Sequence, residues 1–414
     1  MNLKQAELFF KKYKGQEFHM FREDETSFRE YKSMDIDEEL KNKWLKEINN
    51  IDINVKKQIK HLYVHVPFCN NICFYCDFTR RIYDEKLVDK WLDYLKNEIR
   101  NNCFNKFETI YIGGGTPSCL NNRQLERLLV LLNPYTDNVK EYTIEVNPES
   151  LDIDKTNLFK KYHVNRISMG VQSSDDNLLK MINRKHTFED VRNSIELLKD
   201  NAFDNISVDL IYSLPDQSID ILNKTIDDIL SLNVKHISLY SLTIEENSVF
   251  GKRGIKSLDE DIEADMYELI DKRLKENNYL HYEVSNFCLE GYESKHNMSY
   301  WNYEDFLGLS LGASGKIGSY RYTNTSSFDQ YFEDINYKDE EVFLTKKDMM
   351  FENIMMSLRT IYGLNIDEFN KRYDCNLIND YSKGINNKYI VIEDGYLKCN
   401  NLELLNNILL DFMD

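Results

Sequence analysis

The sequence lacks any run of 18 or more apolar residues, so no membrane-spanning helix is expected. Its opening stretch, MNLKQAELFFKKYKGQEFHMF, carries charge in every turn and has neither an apolar signal core nor a small-residue cleavage site. A cytoplasmic chain with reduced thiols is therefore expected, and its eight cysteines are read as ligands or buried thiols, not as disulfides. Positive charge is in deficit. Against 70 Asp and Glu stand 52 Lys and Arg, a net charge of -18. This excludes a broad nucleic-acid or anionic-lipid surface, which works by neutralising phosphates with basic side chains. Proline is scarce, with five residues at 67, 117, 134, 148 and 215 and none beyond. No long internal repeat is present. Apolar material is sufficient: 42% hydrophobic residues rule out disorder as the main state.

From about residue 61 strands alternate with helices. Strands are expected at Leu62–Phe68, Thr109–Ile112, Tyr142–Val146, Arg166–Val171, Ile206–Leu214 and His236–Leu242, each followed by an amphipathic helix. Serial β–α units imply parallel strands with right-handed crossovers. Six units predict an α/β fold, a partial (β/α)6 barrel with its reactive face at the C-terminal strand ends; a doubly wound open sheet is the alternative. Residues 1–60 are read as a helical extension and 61–285 as the barrel. Residues 286–414 are read as a small α+β domain of winged-helix type, in which the pattern runs strand, Gly-rich loop, then helices. A hairpin is expected around Asp394-Gly395.

The loop after the first strand contains Cys69, Cys73 and Cys76 in a C-x3-C-x2-C spacing. Three thiolates on one short loop can hold a [4Fe–4S] cube and leave one iron open to a small molecule. The alternative is zinc, with His65 as a fourth ligand. The second strand ends in Gly113-Gly114-Gly115-Thr116-Pro117, where a ligand can approach peptide groups that would bond an amino acid's ammonium and carboxylate. Glu145, Gln172 and Arg184 sit at or beyond strand ends on the same face. Asp209 lies inside the apolar run of its strand, where an unpaired carboxylate is costly.

These residues, with the motifs LYVHVPFC, CDF, IYIGGGTPS, IEVNPES, NRISMGVQS, NRKH, VDLIYSLPDQS and LTIEENS in that order, resemble the radical S-adenosylmethionine (SAM) superfamily over residues 61–414. Within it they are similar to the group of oxygen-independent coproporphyrinogen III oxidases and the related heme chaperones. The resemblance implies that Cys69, Cys73 and Cys76 hold a [4Fe–4S] cluster. It also implies that SAM is contacted by Tyr63, Tyr75, Gly114, Gly115, Thr116, Glu145, Gln172, Arg184 and Asp209. An electron donor for the cluster is implied as a partner.

Two features favour the chaperones. Phe78 stands where the oxidases carry a further cysteine, and His296-Asn297-Met298-Ser299-Tyr300-Trp301 matches the chaperones' HNxxYW segment. A neutral imidazole is a good heme-iron ligand, so His296 is the candidate contact for a heme cargo, with Tyr300 and Trp301 able to cover a porphyrin face. The alternative is a hydrogen-bonded hinge that packs the C-terminal domain on the barrel. The functions implied are a heme chaperone that passes heme to an acceptor protein, a coproporphyrinogen III oxidase, or a radical SAM methyltransferase.

Overall fold

The computed structural model describes residues 59–103, 106–333 and 337–413. The extension expected over residues 1–60 lies outside them, except for its last two positions.

Six parallel strands lie side by side in chain order: β1 (His61–Val66), β2 (Thr109–Gly114), β3 (Glu141–Val146), β4 (Arg166–Gln172), β5 (Ile206–Tyr212) and β6 (His236–Ser241). They are followed in turn by helices α1 (Glu85–Asn102), α2 (Asn122–Leu132), α3 (Ile153–Lys161), α4 (Phe188–Asp200), α5 (Ile219–Ser231) and α6 (Glu260–Glu276). This is the expected partial (β/α)6 barrel. Each of the six helices starts at a side-chain cap: Asp84, Asn121, Asp152, Thr187, Ser218 and Asp259 accept an amide of their own first turn. Such a cap contributes about 1 kcal/mol.

The strands alternate strictly. Leu62, Val64, Ile110, Ile112, Ile144, Ile167, Met169, Val208, Ile237 and Leu239 join the helices in one apolar core. The intervening positions share the opposite face through the strand register. They are His61, Tyr63 and His65 on β1, Thr109 and Tyr111 on β2, Glu141, Thr143 and Glu145 on β3, Arg166 and Ser168 on β4, Ser207 and Asp209 on β5, and His236 and Ser238 on β6. The barrel interior is therefore polar along its length, unlike the branched apolar filling of a closed eight-stranded barrel.

After α6 the sheet grows at both edges. Strands β7 (Leu280–Glu283) and β8 (Asn286–Cys288) add antiparallel beyond β6. Helix α7 (Lys295–Trp301) then crosses the end of the barrel where the strands begin. Next, β9 (Phe306–Leu309) pairs parallel with β1, and β10 (Ser314–Ile317), β11 (Tyr320–Asn324) and β12 (Lys338–Phe343) extend the sheet antiparallel to twelve strands. The segment LGLSLGASGK, within the region whose pattern reads as strand, Gly-rich loop and helices, thus supplies two strands. Glycine, serine and alanine have little strand preference, so the pattern concealed them. Gly308 is required there, because a Cβ at this position would lie 1.9 Å from the Ser314 carbonyl oxygen.

A second core gathers Tyr303 with residues of α8 (Lys346–Ser357), α9 (Ile366–Tyr373) and a three-stranded sheet. That sheet comprises β13 (Leu364–Asn365), β14 (Ile390–Glu393) and β15 (Tyr396–Cys399). The expected hairpin turn is present, with Asp394 and Gly395 both at positive φ, +50° and +82°. Among the described residues, no helix is long and apolar enough to cross a membrane.

Candidate functional site

The cysteine loop is held from two sides. From the end of β2, the Gly115 amide donates to the Val66 carbonyl (2.8 Å) and the Thr116 amide to the Phe68 carbonyl (2.7 Å). Only glycine fits at 115, since a Cβ would sit 2.5 Å from the Phe68 oxygen. From beyond β4, the Phe74 amide donates to the Ile182 carbonyl (3.1 Å) and the Asn183 side-chain amide to the Ile72 carbonyl (2.8 Å). Arg80 donates to the Cys76 and Phe78 carbonyls and closes the loop on itself.

All three sulfurs receive donors: Cys69 from the Thr116 hydroxyl and Cys73 from Arg184, both at 3.6 Å, and Cys76 from the Phe78 amide. Tyr75 also bonds Cys73. Burial raises the Cys69 thiol above its ordinary value and pushes Cys76 up to about 12. For Cys69 and Cys76 burial thus favours the protonated thiol, whose proton a metal would displace on binding. His65, the fourth ligand of the zinc alternative, is committed elsewhere: Nδ1 bonds the Tyr63 hydroxyl (2.9 Å) and Nε2 the Thr79 carbonyl (2.7 Å). Among the described residues, no three His, Cys, Asp or Glu side chains close on a single ion. A cubane does not demand that closeness, because each thiolate takes a different iron.

The remaining rim residues converge above the barrel mouth. Arg184 also donates to Asn147 Oδ1 (2.9 Å) and to the Gly170 carbonyl, while its Nε has no hydrogen-bond partner among the described residues. Gln172 and Arg184 both lie against Gly170. Glu145 accepts from the Tyr111 hydroxyl (2.8 Å) and the Gly114 amide (3.0 Å). Burial raises the Glu145 carboxyl to about 7; the Tyr111 bond opposes this and the charge of Asp209 adds to it. Asp209, raised by burial, is held by the hydroxyls of Ser168 (3.0 Å) and Ser238. The charges of Arg166 and Arg184 also favour its ionised form.

His296 is not at the rim. It lies on α7 at the opposite end, the barrel floor, and is 1% exposed. Its Nδ1 bonds the Thr109 hydroxyl and its Nε2 the Tyr300 hydroxyl, both at 2.7 Å. Burial, then the neighbouring His61 and Arg166, keep the ring neutral by lowering its pKa well below the usual imidazole value. The first turn of α7 is seated on Glu141, whose carboxylate accepts from the Lys295 amide (2.8 Å), the His296 amide (2.9 Å) and the Ser294 hydroxyl (3.3 Å). Glu141 is also the strongest attraction on the buried Arg166.

Tyr111 joins the two ends. Its ring stacks on His296 at 5.2 Å, and its hydroxyl holds Glu145. Sequence reasoning missed Tyr111, Glu141, Asn147, Arg166, Thr109 and His61. All but Asn147 occupy inward positions of strands that read as apolar runs. The signal that would have found them is the period of two within those runs, as in HLYVHV and EYTIEV.

Comparison with known proteins places this geometry. Residues 63–229 match the Radical SAM superfamily. A heme chaperone HemW from Lactococcus lactis is 38% identical over 365 residues, covering 85% of this chain and 96% of that protein. One from Bacillus subtilis is 36% identical over 332 residues, 76% and 87% of the two chains. The solved structure of coproporphyrinogen III oxidase (HemN) from Escherichia coli, described as a radical SAM enzyme, superposes with a TM-score of 0.76 at 21% identity. It covers 86% of this chain and 90% of that one, a likeness of fold. With the cysteine loop, the polar barrel and the α7 segment in place, the chain belongs to the HemW heme chaperone family of the radical SAM superfamily.

Proposed function

We propose that this protein binds heme and passes it to an acceptor protein, and that its barrel rim holds a [4Fe–4S] cluster and SAM. The observation that carries the reading is its kinship with heme chaperones over nearly their whole length. Cys69, Cys73 and Cys76 would hold the cluster. The sulfur donors Thr116 and Arg184 support that role, since hydrogen bonds to thiolates disperse their charge. Tyr63, Tyr75, Gly114, Gly115, Gln172 and the carboxylates Glu145 and Asp209 would line the SAM site. The partnerless Nε of Arg184 is a donor that a bound carboxylate would satisfy. A cluster held there would supply one-electron reduction of a bound sulfonium, with a separate electron donor to restore it. The chain's own task at the rim is to orient the sulfonium and keep water from the sulfurs.

His296 is the proposed contact for heme iron. Since Tyr300 covers its Nε2, heme uptake would part α7 from its neighbours enough to exchange that hydroxyl for iron. The test is anaerobic reconstitution followed by paired assays. Adding SAM should alter the paramagnetic resonance of the reduced protein. Heme titration should give a Soret band that weakens in His296→Ala. Conversion of coproporphyrinogen III to a vinyl porphyrin, in the presence of SAM and a reductant, would overturn the chaperone reading.

A further inference from the structure

Guanidinium groups flank the three cysteines from two sides. Arg184, from beyond β4, donates to the Cys73 sulfur. Arg80 belongs to the cysteine loop itself, and the fork of its side chain holds the Cys76 and Phe78 carbonyls. Its Nε is buried and has no hydrogen-bond partner among the described residues, nor does the side chain form an ion pair with any of them. Its charge is the largest influence opposing burial at the Cys76 thiol, and it acts on Cys69 as well. Arginine stays protonated at any working pH, so the charge itself is fixed. A half-buried cation answered by carbonyl dipoles but by no carboxylate is incompletely compensated. Thiolates supply what is missing: when the thiol protons leave on metal binding, negative charge develops beside this group.

We propose that Arg80 is a positioning residue for the [4Fe–4S] cluster: it shapes the turn that carries Cys76 and serves as counter-charge on the Cys69–Cys76 side, which raises the cluster's reduction potential. This rests on the reading of Cys69, Cys73 and Cys76 as cluster ligands. Net charge and hydrogen bonds at the sulfurs set such potentials. An added electron makes the cluster more negative, so a neighbouring cation favours the reduced form. The vacant Nε–H is a donor kept for sulfur. Arg80 stands outside the C-x3-C-x2-C spacing, and its role comes from the fold of the loop, not from that motif.

The test uses the full-length protein reconstituted anaerobically. Iron content is measured, and the midpoint potential is followed by paramagnetic resonance during a redox titration, a readout that a purely structural clasp would not move. Arg80→Gln removes the charge and keeps a donor for the carbonyls. At a fixed solution potential its ratio of reduced to oxidised cluster should fall about tenfold, a shift of about 59 mV to more negative potential for one electron. Arg80→Lys keeps the charge and should lie nearer to wild type than to Arg80→Gln in both iron content and potential. Should Arg80→Gln hold no cluster at all, wild-type-like loading and potential in Arg80→Lys still assign the requirement to charge.

Two results would sink the proposal. One is an Arg80→Gln protein with wild-type iron and a potential unchanged or raised. The other is an Arg80→Lys protein nearer to Arg80→Gln than to wild type, which would reduce Arg80 to a clasp. Both leave the ligand assignment standing as long as alanine variants of Cys69, Cys73 and Cys76 lose their iron. Iron retained in those cysteine variants marks the ligand reading itself as the failed step, and the proposal falls with it.

Discussion

The two ends of the barrel are made of the same kinds of polar side chain and treat them in opposite ways. Around α7 most groups are answered: Glu141 has three donors, and His61 and His296 use both ring nitrogens, although Arg166 Nε has no partner among the described residues. At the rim bonding is incomplete. Among the described residues Arg184 Nε has no partner, and burial raises Glu145 to about 7 and raises Asp209. A buried polar network stabilises only when complete, and an incomplete one costs stability until a ligand arrives. The contrast teaches that a ligand at the rim would complete bonds, whereas one at His296 would first have to displace the Tyr300 hydroxyl.

The sharpest test of the contrast is Cys73→Ala. Anaerobically reconstituted protein should lose its iron almost entirely, while urea unfolding of the metal-free chain shifts by no more than about 1 kcal/mol, because the side chain is half-buried in a loop. Iron retained at wild-type content would remove the rim's claim to be a metal receptor. At the floor, Glu141→Ala should cost ~3–5 kcal/mol in urea unfolding, since it strands three donors and leaves Arg166 without its main counter-charge. A cost below about 1 kcal/mol would mean that the floor is not closed by this carboxylate.

Glu145 gives a smaller effect of opposite sign. Its pKa is raised on folding, so the folded protein holds the proton more tightly than the unfolded chain. The resulting stabilisation is complete below the ordinary glutamate value and is lost as pH rises through about 7. Glu145→Gln keeps the bonds to Tyr111 and Gly114 without the charge. The ligand-free variant should exceed wild type by ~1–2 kcal/mol at pH 8 and converge with it near pH 5. Parallel pH–stability curves would show that this rim carboxylate carries no strain. Last, Phe78→Ser, at a side chain 63% exposed, should move stability by less than about 0.5 kcal/mol and leave iron content unchanged. A larger loss would extend the structural framework into the rim.

The same contrast explains what the sequence disclosed. The rim was legible because its residues come in short local motifs, C-x3-C-x2-C and Gly113-Gly114-Gly115, whose chemistry is written in their spacing. The floor was not, because it joins residues 48, 187 and 243 positions apart, and only the folded register brings them together. The six β–α units were legible through their period. β9 and β10 were not, because close backbone approach at Gly308 demands the residue that strand propensity counts against. Arg166 escaped because a charged side chain at the start of a strand resembles a solvated end, whereas it is 2% exposed inside the barrel.

Tyr111 has a consequence for how the two ends communicate. A phenol ring cannot flex along its axis, and this one has its face on His296 and its oxygen on Glu145. A guest that draws the carboxylate away changes the surface on which the imidazole leans. One rigid side chain thus touches both the carboxylate proposed to line the SAM site and the imidazole proposed to meet heme.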